Sequence, residues 1–84
     1  MIIDSMHEAL NEARAAAERG EIPVGAVVLG PDGRILTRAG NRTEAGNDPT
    51  AHAEILALRA AAALRNSPRL PDCDLVVTDR KSVV

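Results

Sequence analysis

The sequence contains no phenylalanine, tyrosine or tryptophan. Each aromatic side chain would bury roughly 150–250 Å² in a core, so the core of this chain must be built from Ile, Val, Leu and Ala. Alanine supplies much of the 45% hydrophobic content but little buried area. With 84 residues, the chain has room for one small domain, which buries about 60% of the surface of its unfolded chain. We therefore expect a single domain with a small aliphatic core.

Several other features are missing as well. Cys73 has no partner for an internal disulfide, which fits a reducing compartment. The N-terminus lacks the basic segment and long apolar run of a secretory leader, and the longest bulky apolar stretch, Val24 to Leu29, is too short to cross a bilayer. The net charge is −2 with scattered Lys and Arg, so no basic face typical of nucleic-acid binding is evident. These absences predict a soluble cytoplasmic protein with no membrane partner.

The first predicted element is an amphipathic helix. Ser5, followed three residues later by Glu8, has the spacing of a capping box at a helix start. Gly20 is typical of a helix C-terminus. Apolar residues recur between them at intervals of three and four, as one helical face requires: Met6, Ala9, Leu10, Ala13, Ala16 and Ala17.

A β-hairpin is predicted next. The β-branched run Val24 to Leu29 lacks polar alternation, which predicts a strand covered on both faces. Gly25 leaves room for a close approach to the backbone of this strand. The turn-forming residues 30–33 connect it to a second strand over 34–39, and a polar loop follows over 40–47.

A second helix and a third strand complete the predicted α/β architecture. Asp48 is placed to cap the helix, with Pro49 at its first position, where a missing N–H costs nothing. An apolar stripe continues to about Leu64. The segment Asp74 to Thr78 then has the pattern of a buried strand. Because strand, helix and strand in succession form a right-handed crossover, we expect this strand to be parallel to a strand of the hairpin.

The chemically suggestive residues are His52 and Glu54, two positions apart near the beginning of the second predicted helix. An imidazole can hold a metal ion and a carboxylate can move a proton, while the positive dipole end of a helix stabilises bound anions. Residues two apart on a regular helix point about 200° from each other. His-x-Glu taken by itself therefore specifies little and is interpreted as a chance pair on the surface.

Blocks around this pair resemble the amino-terminal half of the bacterial tRNA adenosine deaminases, in the cytidine and deoxycytidylate deaminase superfamily. The blocks are Gly20-Glu21-Ile22-Pro23-Val24-Gly25-Ala26-Val27-Val28, then Gly40-Asn41-Arg42, then Asp48-Pro49-Thr50-Ala51-His52-Ala53-Glu54-Ile55 with Ala57-Leu58-Arg59. Arg69-Leu70, Asp72-Cys73-Asp74-Leu75 and Val77-Thr78 extend the resemblance, which runs from about Met6 to Thr78.

The resemblance implies a three-layer α/β/α fold, of which this chain holds the helix, hairpin, helix and parallel strand. It also implies a homodimer with one zinc ion per subunit. His52 would be a zinc ligand, and Glu54 would carry the proton from zinc-bound water to the leaving amine. Asn41 would hydrogen-bond the flipped nucleoside, with a residue in a left-handed turn as the alternative, and Val24 would line the base pocket. The implied reaction converts adenosine to inosine at the wobble position of a tRNA anticodon stem-loop.

The family's two cysteine ligands, in Pro-Cys-x-x-Cys directly after the position of Thr78, have no counterpart here. Cys73 precedes the strand and is predicted to be a small, partly buried side chain. The tail Asp79 to Val84 departs from the family pattern and can be back-translated as GATCGGAAGAGCGTCGTG, which reads as sequencing-adapter DNA. We therefore predict a deaminase segment at 1–78 and an unrelated tail at 79–84, with a genuine short tail as the alternative.

Two other functions stay open at this point. A deaminase acting on cytosine, cytidine or guanine would share the motif, whereas a basic, aromatic-bearing C-terminal helix in the full-length sequence would favour tRNA. The other candidate is a non-catalytic fragment that binds a partner, and zinc analysis of the purified protein would separate it from an enzyme. With one histidine ligand and no cysteine pair, the chain by itself is expected to be inactive.

Overall fold

The computed structural model describes residues 2–44, 47–48, 51–78 and 80–83, and at 2–3 and 80–83 it describes the backbone. Among the described residues, neither helix has the length and apolar character that a membrane crossing requires. The elements in chain order are α1 (Ile2–Glu18), β1 (Gly25–Leu29), β2 (Ile35–Gly40), α2 (Ala53–Arg65), β3 (Asp74–Val77) and β4 (Arg80–Val83).

The strands of the described residues form one four-stranded sheet in the order β2–β1–β3–β4, and each neighbouring pair is antiparallel. β1 and β2 form the predicted hairpin, and β1 is buried along its whole length. β3 runs in the same direction as β2, as predicted. However, β1 lies between them, so the connection from β2 through α2 to β3 passes over β1 and the hydrogen bonds of β3 to β1 are antiparallel.

The two helices cover opposite faces of the sheet, which gives the α/β/α layering expected for the family. The core has small side chains throughout, as the absence of aromatic residues requires, and its largest fully buried members are four valines, Cys73 and Ser5. The α1 side of the core contains Ala9, Val27, Leu29 and Val76. The α2 side contains Ala26, Val28, Ala53, Ala57, Ala61, Cys73, Leu75 and Val77.

Helix α1 ends as predicted but begins earlier. Gly20 has a positive φ of 83° and its N–H bonds to the carbonyl of Ala17, while the N–H of Glu21 bonds to the carbonyl of Ala16. These two bonds form a Schellman C-cap. The capping box predicted at Ser5 is wrong, because the helix already runs from Ile2 and Ser5 is a buried residue inside it.

Gly25 and Gly40 let α1 lie directly on the backbone of the sheet. A Cβ atom at Gly25 would stand 1.9 Å from the carbonyl oxygen of Ala9, and one at Gly40 would stand 2.7 Å from that of Glu12. Neither distance is compatible with a side chain. The close approach predicted at Gly25 is thus confirmed, and Gly40 provides a second one.

Helix α2 begins later than predicted, at Ala53, with His52 as its N-cap. The capping role predicted for Asp48 is wrong, and Pro49 lies outside the described residues. The helix ends at Arg65, and Asn66 closes it in the left-handed conformation. Within the tail predicted to be unrelated to the domain, residues 80–83 form β4, whereas residues 79 and 84 lie outside the described part.

Candidate active site

The beginning of β1, the ends of β2 and β3 and the beginning of α2 meet at one edge of the sheet. The N–H of Asn41 bonds to the carbonyl of Val24 at 3.2 Å, and the N–H of Thr78 bonds to the carbonyl of Gly25 at 3.0 Å. We call the edge formed by Val24, Asn41, His52 and Thr78 the site edge. The fold thus gathers three of the four predicted site residues here, and the fourth, Glu54, follows in the first turn of α2.

The backbone of His52 is held from both sides. The carbonyl of Ala51 accepts a hydrogen bond from the N–H of Arg42 at 2.8 Å. The N–H of Ala53 donates to Oδ1 of Asn41, also at 2.8 Å. His52 itself has extended backbone angles (φ −78°, ψ 149°), and its side chain is exposed and makes no capping hydrogen bond. The backbone at His52 is therefore held by its neighbours, and the imidazole makes no capping hydrogen bond to it.

Asn41 provides the cap that α2 lacks locally. Its side chain is buried, and its Oδ1 satisfies the first free N–H of the helix from 12 residues upstream. The alternative of a left-handed turn is wrong, because the described non-glycine residues with positive φ are Asn47, Asn66 and Asp72. With its oxygen bonded to Ala53, Asn41 can offer a ligand the donor group Nδ2.

Glu54 and Val24 are both half-buried at this edge. Glu54 lies in the first turn of α2. Because His52 is extended rather than helical, the divergence of about 200° expected for two residues of a regular helix does not apply to this pair. Val24 packs against the α2 side of the core. The backbone angles of His52 thus remove the helical constraint that would direct the two side chains apart.

The described residues do not complete a zinc site. No group of three or more His, Cys, Asp and Glu side chains within them is placed to hold a metal ion, whereas catalytic zinc sites use about three protein ligands. Cys73, which was expected to be partly buried, is fully buried. Cys73 directly precedes Asp74, the first residue of β3, which pairs with Leu29. It therefore lies at the opposite edge of the sheet from His52.

A shallow apolar groove lies further along α2, outside the candidate site. It has a volume of about 350 Å³ and is lined by Leu58, Arg59, Ala62, Pro68 and Leu70. Its lining starts one helical turn after Glu54. None of the four predicted site residues contributes to it, so we place the candidate chemistry at the site edge on the basis of its polar groups.

Two contacts that the sequence analysis did not single out come from the end of α1. A guanidinium nitrogen of Arg19, Nη2, donates to the carbonyl oxygen of Asn41 at 3.2 Å. The buried carboxylate of Glu21 accepts from the N–H of Glu44 at 3.0 Å. Glu21 belongs to the first block that carries the family resemblance. The sequence feature that could have indicated its role is an acidic residue directly after the glycine that ends the helix.

A protein-family model described as the cytidine and deoxycytidylate deaminase zinc-binding region matches residues 2–80. The chain belongs to this family. The sequence-based expectation of a deaminase domain with an α/β fold is therefore confirmed.

Curated relatives carry tRNA-modification names. A tRNA-specific adenosine deaminase of Agrobacterium fabrum is 53% identical over 73 residues, covering 87% of this chain and 47% of the relative. A tRNA(Ile)-lysidine synthase of Deinococcus radiodurans is 53% identical over 79 residues, covering 89% of this chain and 14% of that protein. The chain thus spans about half of the first relative and a small part of the second.

Solved structures give the same result. A structure from a study of A-to-I editing by tRNA:A34 deaminases superposes with a TM-score of 0.86 at 51% identity, covering 89% of this chain and 57% of that one. Guanine deaminase from Bacillus subtilis superposes with a TM-score of 0.82 at 35% identity, covering 88% of this chain and 47% of that one.

Proposed function

We propose that the protein containing this sequence hydrolytically deaminates adenosine to inosine at the wobble position of tRNA. The observation that carries the proposal is the likeness at 51% identity to a structure studied for A-to-I editing by tRNA:A34 deaminases. The relative of Agrobacterium fabrum named tRNA-specific adenosine deaminase supports it. On this proposal the partner is the anticodon stem-loop of tRNA, the working form is a homodimer and the location is the cytoplasm.

We assign the proton-transfer role to Glu54 and a metal-ligand role to His52. Glu54 is half-buried in the first turn of α2, where it would take a proton from the attacking water and give one to the departing amino nitrogen. His52 offers an exposed imidazole on a backbone that both neighbouring residues hold. Zinc, when bound, makes a hydroxide nucleophile available at neutral pH.

Asn41 and Val24 would bind the substrate. Because Oδ1 of Asn41 is bonded to Ala53, its Nδ2 is the group that can donate to a base or ribose acceptor. Val24, half-buried beside it, would supply an apolar wall for the flipped base. These two residues would then set the orientation of the nucleoside against Glu54.

The remaining zinc ligands must come from outside the described residues, since these hold no ligand cluster. We propose that they are supplied by a Pro-Cys-x-x-Cys segment following the position of Thr78 in the whole protein. On this proposal residues 1–78 are deaminase sequence, residues 79–84 are an unrelated tail, and the chain of 84 residues is inactive by itself.

The test uses the whole protein, extended past Thr78 from its gene. We expect inosine in a tRNA transcript with adenosine at the wobble position, no inosine in a matched transcript with guanosine there, and no ammonia from free guanine or cytidine. Mass spectrometry of the digested transcripts and an ammonia assay measure these outcomes. Deamination of a free base with no product in tRNA would contradict the proposal.

The second candidate function, a small-molecule deaminase, predicts deamination of a free base and no inosine in tRNA. The superposition on the guanine deaminase of Bacillus subtilis at 35% identity favours it. Since the likeness to the tRNA:A34 deaminase structure is greater in both identity and TM-score, we prefer the tRNA substrate.

A further inference from the structure

The C-terminal end of α1 holds the loop that leads from β2 towards α2. Arg19 donates from Nη2 to the backbone oxygen of Asn41 at 3.2 Å. Two residues later, Oε1 of Glu21 accepts from the N–H of Glu44 at 3.0 Å and makes a longer contact of 3.5 Å with Oγ1 of Thr43. A cation and an anion from one helix end therefore bind the two ends of the segment 41–44.

The burial of Glu21 indicates what its contacts are for. The residue is 5% exposed, and removing a carboxylate from water is costly unless hydrogen bonds compensate. The described compensation comes from the loop, through the N–H of Glu44 and the hydroxyl of Thr43. The carboxylate and the loop are therefore coupled, because displacing the loop would strip donors from a buried anion.

The same loop sets the candidate site. Asn41 bonds through its side chain to Ala53, and Arg42 bonds through its N–H to Ala51, so these two residues fix the backbone on either side of His52. A shift of the loop would therefore move Asn41 and His52 together. An error of about 1 Å in such a position can cost on the order of 10²-fold in rate.

We propose that Arg19 and Glu21 are positioning residues, which hold the segment 41–44 in the place where Asn41 binds substrate and His52 faces its ligand. They act through the loop and do not touch the substrate. The structural part of this proposal stands on the contacts above, and its catalytic part rests on the proposed function.

The structural part is tested by hydrogen exchange of the ¹⁵N-labelled chain. In Glu21→Ala, we expect the amides of Glu44 and Ala53 to exchange about tenfold faster or more, as loss of a hydrogen bond to a charged group implies. The amide of Val76, in the centre of the sheet, should be unchanged. Glu21→Gln retains an acceptor oxygen and should restore protection, and Glu18→Ala, which removes an exposed carboxylate at the same helix end, is the matched control. Equal acceleration at Val76, or no change at Ala53, would overturn the proposal.

The catalytic part is tested in the whole protein with a tRNA transcript. We expect Glu21→Ala and Arg19→Ala to raise KM as well as lower kcat, with a fall in kcat/KM of about 10²-fold, and Glu21→Gln to recover most of it. A merely structural role would reduce the amount of folded enzyme, so kcat would fall while KM stayed constant, and that result would overturn the proposal. Local loss of exchange protection in a protein inactive on tRNA would support the positioning role and contradict the proposed substrate.

Discussion

His52 owes its place to its neighbours in the chain. The hydrogen bonds that define its position are made by Ala51 and Ala53, and its own side chain is exposed and free of a capping bond. Substitution of the imidazole should therefore leave the backbone intact. Glu54, the second residue of α2, occupies a half-buried position where a proton-transfer group can be partly shielded from water.

On the proposed function, substitutions of His52 and Glu54 in the whole protein should have different effects. In Glu54→Ala, zinc should remain while inosine formation falls by at least ~10²–10⁴-fold, the usual contribution of a general acid–base group. In His52→Ala, zinc content and activity should fall together because a ligand is lost. Metal content per subunit and inosine in tRNA are measured side by side, with His7→Ala, an exposed histidine of α1, as the control. Loss of zinc in the Glu54 variant with retention in the His52 variant would reverse the assignments.

Asn41 combines a structural and a proposed binding role, and one substitution separates them. Asn41→Asp keeps an oxygen for the N–H of Ala53, at a helix N-terminus where negative charge is favourable, but it loses the Nδ2 donor. We expect its unfolding free energy to stay close to that of the parent while KM for tRNA rises. Asn41→Ala should lose both, with a stability cost of about 0.5–2 kcal/mol, typical of a removed cap. An aspartate variant with unchanged KM would show that Nδ2 does not bind substrate.

Helices and strands whose ends are determined by neighbouring residues were predicted correctly from short sequence patterns. The β1–β2 hairpin, the glycine at the end of α1 and the buried strand β3 follow from short runs of β-branched, turn and glycine residues. The start of α2 does not, because its capping oxygen belongs to Asn41, 12 residues earlier. Asp48 and Pro49 had the right chemistry for a helix start, but nothing in their neighbourhood could reveal a cap supplied from the beginning of the same connection, directly after β2.

The candidate site shows the same division. His52 and Glu54 were found by their spacing and by the family resemblance, whereas Arg19 and Glu21 act across contacts of 22 and 23 residues in sequence. Such contacts depend on α1 lying against the end of β2. That arrangement follows from the two glycines under the helix, whose joint effect appears only in the folded chain.

Packing of α1 on the sheet makes a prediction about Gly25. Gly25→Ala would place a methyl group against the backbone of Ala9 and Ala13, and overpacking of this kind typically costs 1–3 kcal/mol, roughly. Gly30→Ala is the matched control, since its Cβ would stand 3.2 Å from the guanidinium end of Arg65, which can move. Urea unfolding followed by circular dichroism should show a lower midpoint for the first variant than for the second. Equal midpoints would mean that α1 does not lie as close to β1 as described.

The whole molecule is as compact as a complete domain of its length. Its radius of gyration is 11.9 Å, close to the value of about 12 Å for a compact chain of this size. The buried apolar side chains of the described residues are nevertheless alanines, valines, two leucines and Cys73. The described residues supply one candidate metal ligand, His52, and no cluster of three ligands.

The number of candidate metal ligands leads to a prediction about zinc binding. The chain of 84 residues should bind zinc weakly, because about three protein ligands are needed to close a catalytic site, and it should not deaminate adenosine or cytidine. Inductively coupled plasma analysis after dialysis and an ammonia assay measure both. The whole protein, carried through the same steps, should retain about one zinc per subunit. Stoichiometric zinc with turnover in the short chain would refute this expectation.

The gene supplies the last prediction. Reading onward from the codon for Thr78 in genomic DNA should reveal Pro-Cys-x-x-Cys in place of the residues that follow here. Amplification from genomic DNA with a primer upstream of the codon for His52, followed by sequencing, decides the matter. A genomic stop codon directly after the codon for Val84 would show that the tail is genuine.

The bond between the N–H of Arg42 and the carbonyl of Ala51 closes a loop at its base. The two ends of the segment between Arg42 and Ala51 are held together by this bond. The length of the segment therefore has little effect on the backbone position of His52. Each doubling of a flexible loop adds only about 0.6 kcal/mol of closure cost. An insertion between Glu44 and Ala51 would therefore leave this bond, and with it the backbone position of His52, in place.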